Sequence, residues 1–180
     1  TVIRANHRGP LAISGPAGSG KTTLALHRVA YLAQSPDVSD TFPASSILVF
    51  VQDEGTKEYF SQLLPELGIK GVHITTFASW AFGVLGLTGY HYVYRFGTSE
   101  QKKDEYEFLK FEALRSLPSL VWSDNVYDIL EKAYSILLDR SMFAEQKKKR
   151  LLDRFDITIL LMLYKKTHGE LTMMEEYYQT

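Results

Sequence analysis

Cysteine is absent from all 180 residues. That excludes disulfide frameworks, thiolate zinc sites, iron–sulfur clusters and cysteine nucleophiles together. Net charge is almost absent too, since 20 Lys and Arg face 21 Asp and Glu and leave −1. Such a balance rules out an overall basic coat for nucleic acid, although a local basic groove stays open. No apolar run approaches the ~18 residues that cross a bilayer, and the first ten residues do not read as a secretory signal. The five histidines are scattered without metal-ligand spacing. What remains is an ordinary globular balance, 45% hydrophobic and 23% charged. It argues against disorder and predicts a soluble, cytoplasmic, mixed α/β protein with no membrane partner.

Up to about residue 82, short apolar runs alternate with helical patterns. Leu-Ala-Ile-Ser at 11–14 reads as a strand, and residues 21–34 read as a helix. Ser-Ile-Leu-Val-Phe-Val at 46–51 is a β-branched and aromatic strand. Residues 56–67 form a helix stopped by Gly68, and 71–75 a third strand. That alternation is the pattern of βαβ units around a buried parallel sheet. Residues 35–46, rich in Pro, Ser and Asp, read as a loop.

Beyond Gly83 the strand signal fades. A Gly- and Tyr-rich connector leads into helical patterns near 101–116, 125–140, 143–154 and 157–168. Asp124 and Asp156 stand where N-caps belong, and Gly169 where a helix-ending glycine belongs.

One motif carries chemistry. Gly15, Pro16, Ala17, Gly18, Ser19, Gly20, Lys21 and Thr22 spell G-x-x-x-x-G-K-[ST], the phosphate-binding loop. Its glycines let successive backbone N–H groups turn onto phosphates, and the helix that follows aims its positive end at the same anion. Lys21 is the catalytic candidate, reaching the β- and γ-phosphates, and the Thr22 hydroxyl is the magnesium ligand. With Thr23 these residues form the predicted nucleotide site, for ATP and Mg²⁺. A chance match in a chain this long has a probability of roughly one in a hundred. Asp53 and Glu54, after the 46–51 strand, read in two ways: as a Walker B pair for magnesium, or as acids that open the next helix.

The stretch GPLAISGPAGSGKTTLALHRVAYL at 9–32 resembles motif I of superfamily 1 DNA helicases of the UvrD/Rep type, in particular the helicase IV and HelD-like branch. ILVFVQDEGTKEYFSQLLPELG at 47–68 occupies the place of motif Ia. Thr75, Thr76, Phe77, Ala78, Ser79 and Trp80 are similar to motif Ib. The resemblance implies a P-loop NTPase, RecA-like parallel core over residues 1–85, a helical insertion over 86–168 and a return to the core over 169–180. It implies an ATP-dependent helicase or translocase moving on single-stranded or partly duplex DNA, with Thr76, Phe77 and Ser79 on the nucleic-acid path. It also implies that the adenine-recognising glutamine lies before Thr1. The Walker B strand and the second RecA-like domain would lie after Thr180, so that this segment binds nucleotide without useful turnover. Two carboxylates at 53–54 suit the HelD-like alternative, an ATP-driven factor that engages RNA polymerase.

Two other classes stay open. One is a compact P-loop kinase or NTPase using Asp53 and Glu54 as its acids. The other is a non-catalytic, ATP-bound interaction module. Smaller signals read both ways. Phe77 and Trp80 suit base stacking or a core. Lys147, Lys148, Lys149, Arg150 and Arg154 suit a duplex contact or a solvated face. The connector at 90–96, YHYVYRF, suits a nucleic-acid surface or an extended cover over the core. Arg28 is expected to brace the phosphate-loop helix, and Met173 and Met174 to pack.

Overall fold

The structure is a computed structural model that describes residues 2–5, 9–35, 42–115, 120–135 and 140–169. Met173, Met174 and half of the expected loop at 35–46 lie outside the described residues, as does nearly all of the expected return at 169–180. The chain forms two compact units, Thr1–Phe77 and Ala78–Thr180. The class is α/β, with seven helices and short parallel sheets among the described residues.

In the first unit α1 spans Lys21–Gln34, β1 Leu48–Val51, α2 Glu54–Glu66 and β2 His73–Thr76. β1 and β2 pair in parallel, with Leu48 opposite His73 and Val51 opposite Thr76. Parallel neighbours need a crossover, and α2 supplies it. Asp53, in extended conformation, caps α2 at its start. Gly68, at φ 76°, ends it: the Ile69 N–H returns to Leu64 O at 2.9 Å and the Gly68 N–H to Pro65 O at 2.9 Å. That turn needs a left-handed residue, which glycine accepts without a Cβ clash. Ile69 then packs into a core with Leu26 of α1, Val51 of β1 and Phe60 and Leu64 of α2.

Residues 11–14 do not form the expected strand. A parallel strand exists only through a partner. Among the described residues β1 and β2 pair only with each other, and Leu11 remains 42% exposed. The apolar run marks a segment able to be buried, and here it passes to the phosphate loop as irregular backbone.

The second unit holds most of α3 (Phe77–Val84), then β3 (His91–Tyr92), α4 (Glu100–Ala113), α5 (Val126–Tyr134), α6 (Arg140–Lys148), β4 (Leu151–Leu152) and α7 (Arg154–His168). The expected N-caps are corrected by one and three residues. Asn125, not Asp124, accepts the Tyr127 N–H at 3.2 Å. Asp153, not Asp156, caps α7, and Asp156 is the third helical residue of a reciprocal capping box. α6 therefore ends earlier than the expected 154. Arg150, at φ 53°, turns the chain into β4, which pairs in parallel with β3. α5 and α7 supply most of the core, through Val126, Ile129, Leu130, Ile157, Leu160 and Leu163 among others. Gly169, at φ 85°, closes α7 as expected. No described helix is long and apolar enough to cross a membrane.

Candidate functional site

The phosphate-loop residues form one continuous turn ahead of α1. Gly18 and Gly20 sit at φ 77° and 78°, values that an L side chain rarely adopts. An added Cβ at either would meet nothing within 4 Å, so their glycines answer to backbone conformation and not to crowding. Gly15 differs, because a Cβ there would fall 2.9 Å from Ser19 Oγ. The Ser19 N–H closes the turn on Pro16 O at 3.3 Å.

Lys21 opens α1 and folds back over the loop. Its Nζ lies 2.9 Å from Gly15 O, 2.6 Å from Pro16 O and 3.5 Å from Ser19 Oγ. Thr22 and Thr23 are exposed beside it. No side chain caps α1 and no acid stands in its first turn. The first N–H groups of α1 thus have neither an intrahelical acceptor nor a capping side chain, and the helix dipole favours an anion there. The donor set fits a polyphosphate: backbone N–H groups, one ammonium and a neighbouring hydroxyl. Among the described residues no group of three His, Cys, Asp or Glu could hold a metal. Magnesium in such sites is held chiefly by phosphates, water and one hydroxyl, and Thr22 is the residue present for that. Arg28, two turns along α1, donates to Val2 O at 3.1 Å, Ile3 O at 3.3 Å and Ala5 O at 3.1 Å. It braces the helix, as expected.

The acidic pair after β1 is engaged. Asp53 Oδ1 accepts the Thr56 N–H at 2.7 Å, and that bond holds its carboxyl below the usual range. Glu54 pairs with Lys57 at 3.0 Å and accepts the Thr76 hydroxyl at 3.3 Å. Of the two readings, the structure supplies the geometry of acids that open a helix.

The three candidates for nucleic acid sit side by side in sequence but differ in surface. Thr76 is buried and its hydroxyl is turned to Glu54. Phe77 is 40% exposed, and Ser79 is half-buried on α3. Trp80 is buried, which is its core reading. The basic cluster is largely paired: Lys149 with Glu145 at 2.6 Å, Lys147 with Glu131 at 3.9 Å and Arg154 with Glu107 at 3.4 Å. Arg150 stacks over Tyr90, 4.4 Å from the ring centre. In the connector, β3 is a short extended segment on β4. Arg95 is claimed by Glu100, Asp104 and Glu107 of α4, which removes it as a free phosphate contact.

One constellation has no counterpart in the sequence reading. Lys110 of α4 is fully buried, as are Gln146 of α6 and Asp156 of α7, with Asp153 2% exposed. The Lys110 ammonium lies 2.6 Å from Asp153 Oδ2, 2.9 and 3.0 Å from the two Asp156 oxygens and 3.1 Å from Gln146 Oε1. Its protons therefore all find acceptors. Tyr134 of α5 donates to Asp156 Oδ1 at 2.6 Å, Gln146 Nε2 to Asp156 Oδ2 at 2.5 Å, and Tyr106 to Gln146 Oε1 at 3.1 Å. The Tyr106 and Tyr134 rings flank the ammonium at 4.7 and 5.3 Å. Burial, and next the charge of Asp156, push the Asp153 carboxyl up to about 6 against the pull of Lys110. Burial likewise holds the Tyr134 phenol well above its ordinary value. The signal was present as Tyr106, Lys110 and Ala113 on one face of α4, at i, i+4 and i+7.

Comparison of the chain with protein-family models, with curated proteins and with solved structures gives no match.

Proposed function

We propose that the chain binds Mg·ATP on Gly15–Thr22 and is the ATP-binding segment of a superfamily 1, UvrD/HelD-like translocase with a RecA-like P-loop core. One observation carries the reading. The phosphate-loop sequence sits ahead of an uncapped helix start, with Gly18 and Gly20 left-handed and its lysine turned over the loop. The β1–α2–β2 unit is the parallel βαβ repeat that such a core requires.

The chain's own residues bind and orient. The loop N–H groups and the start of α1 take the phosphates, Lys21 balances their charge, and Thr22 offers its hydroxyl to the metal. Bound Mg·ATP supplies the phosphoanhydride whose cleavage drives movement. In this reading Phe77 and Ser79 lie on the path of a single strand. Thr76, buried and turned to Glu54, supports the strand end from behind. The compact kinase reading is less well supported, because both of its acids are already held. Thermal unfolding of the wild type and Lys21→Ala, each with and without Mg·ATP, tests the proposal. A ligand-induced shift in the wild type that Lys21→Ala lacks supports it, and no shift at millimolar nucleotide overturns it for this chain.

A further inference from the structure

We propose that α4 is a strap held shut on the helical unit by a single buried ammonium, Lys110, and that it opens by itself when that ammonium is released.

The way each helix is attached carries the proposal. Of its 14 residues α4 buries three, Tyr106, Lys110 and Ala113. Two of those act through polar tips. α5 buries six of nine, and α7 buries a row of Ile and Leu. The two phenylalanines of α4 face outward, Phe108 62% and Phe111 50% exposed, and add little burial. α4 thus lacks the apolar seam that fixes α5 and α7, and the centre of its inward grip is the ammonium with its acceptors on α6 and α7.

The remaining ties include one neutral hydrogen bond, from the Tyr106 hydroxyl to Gln146 Oε1 at 3.1 Å, and a set of ion pairs. Arg95 and Arg154 reach α4 through Glu100, Asp104 and Glu107. Partly solvated ion pairs of that kind contribute little. The charged and titratable groups facing Lys110 are Asp153 and Asp156 from α7, Tyr134 from α5 and Tyr106 from α4 itself, with Gln146 from α6 as the neutral acceptor. Without Lys110 the two carboxylates keep other donors. Asp153 holds the Phe155 and Asp156 N–H groups at 2.9 and 3.1 Å, and Asp156 holds Tyr134, Gln146 and the Asp153 N–H. Each acid of α7 keeps two or more donors without Lys110, while α4 keeps one hydroxyl in the hub, Tyr106 on Gln146 Oε1. That asymmetry is the condition for one element to open ahead of the rest.

Hydrogen exchange read by mass spectrometry on the whole chain tests the strap, with Lys110→Met and Leu160→Ala compared to the wild type. Leu160 is a fully buried apolar residue of α7 and serves as a general destabiliser. In Lys110→Met, protection across 100–113 should fall roughly a hundredfold or more, the loss expected from breaking a buried pair. Protection in α5 and α7 should fall far less. In Leu160→Ala the three helices should lose protection together. An even loss in Lys110→Met, or none, overturns the strap. Should Lys110→Met fail to fold, wild-type exchange in rising sub-denaturing urea decides. α4 amides opening ahead of α5 and α7 support the strap, and a single merged opening overturns it.

Discussion

The Thr56 N–H donates to Asp53 Oδ1 at 2.7 Å, and this bond makes Asp53 a helix cap. A carboxylate held down in the fold adds stability above the ordinary carboxylate range, near ~4. That stability is lost as pH falls through the lowered value. Asp53→Asn keeps an acceptor suited to an N-cap but removes the titration. Its melting temperature should match the wild type near neutrality and fall less between pH 5 and 3, followed by circular dichroism. An acid limb identical to the wild type would show that this carboxylate contributes nothing to it.

Mg·ATP at about 100 times its dissociation constant should stabilise the chain by about 2.7 kcal/mol. For a chain of this size that raises the unfolding midpoint by roughly 5–10 °C. Lys21→Ala should lose most of the shift while its midpoint without nucleotide stays close to the wild type, since Lys21 bonds only to exposed loop atoms.

Gly20 stands at φ 78° with open space where a Cβ would go. Alanine there meets backbone strain alone, about 1–2 kcal/mol, and each kcal/mol lowers the midpoint by roughly 2–4 °C. Gly55→Ala, within α2 and without a positive φ, is the control and should leave the midpoint level or higher. Equal effects at the two positions would remove the left-handed requirement at Gly20.

The buried carboxyl of Asp153 titrates in the opposite sense to Asp53. Its value is raised to about 6 in the fold. Its contribution to stability is therefore whole below the unfolded value near ~4 and is lost as pH rises through the folded value. A carbon-detected NMR titration of the side-chain carboxyl should place the midpoint near 6. A midpoint at or below 4 would reverse the sign and mean that Lys110 outweighs burial.

What could be read in advance divides along the range of the interaction. α1 runs over Lys21–Gln34, the span its periodicity predicts, and Gly68 and Gly169 stop their helices, because such signals act within one turn. β1 and β2 follow from β-branched runs. Residues 11–14 look the same in composition, but pairing depends on a partner that composition does not name. The shift from Asp156 to Asp153 has a local cause. Either aspartate suits a cap, and the bonds to Phe155 and Asp156 decide between them. In the candidate site, the glycine turn ahead of α1 was legible from spacing. The hub was not, since α4 reads as a charged surface helix and the acids that bury its lysine lie 43 and 46 residues away.

That hub also constrains how the sequence can drift. Removing one partner of a buried pair costs about 3–5 kcal/mol, while replacing the whole set with apolar residues is often neutral or better. Lys110, Gln146, Asp153 and Asp156 share their bonds, so their substitutions will not add independently. Each single change descends into a valley that only a concerted replacement leaves. Variants of this chain should therefore carry the four residues as a block or lack them as a block, with mixed sets rare among stable proteins.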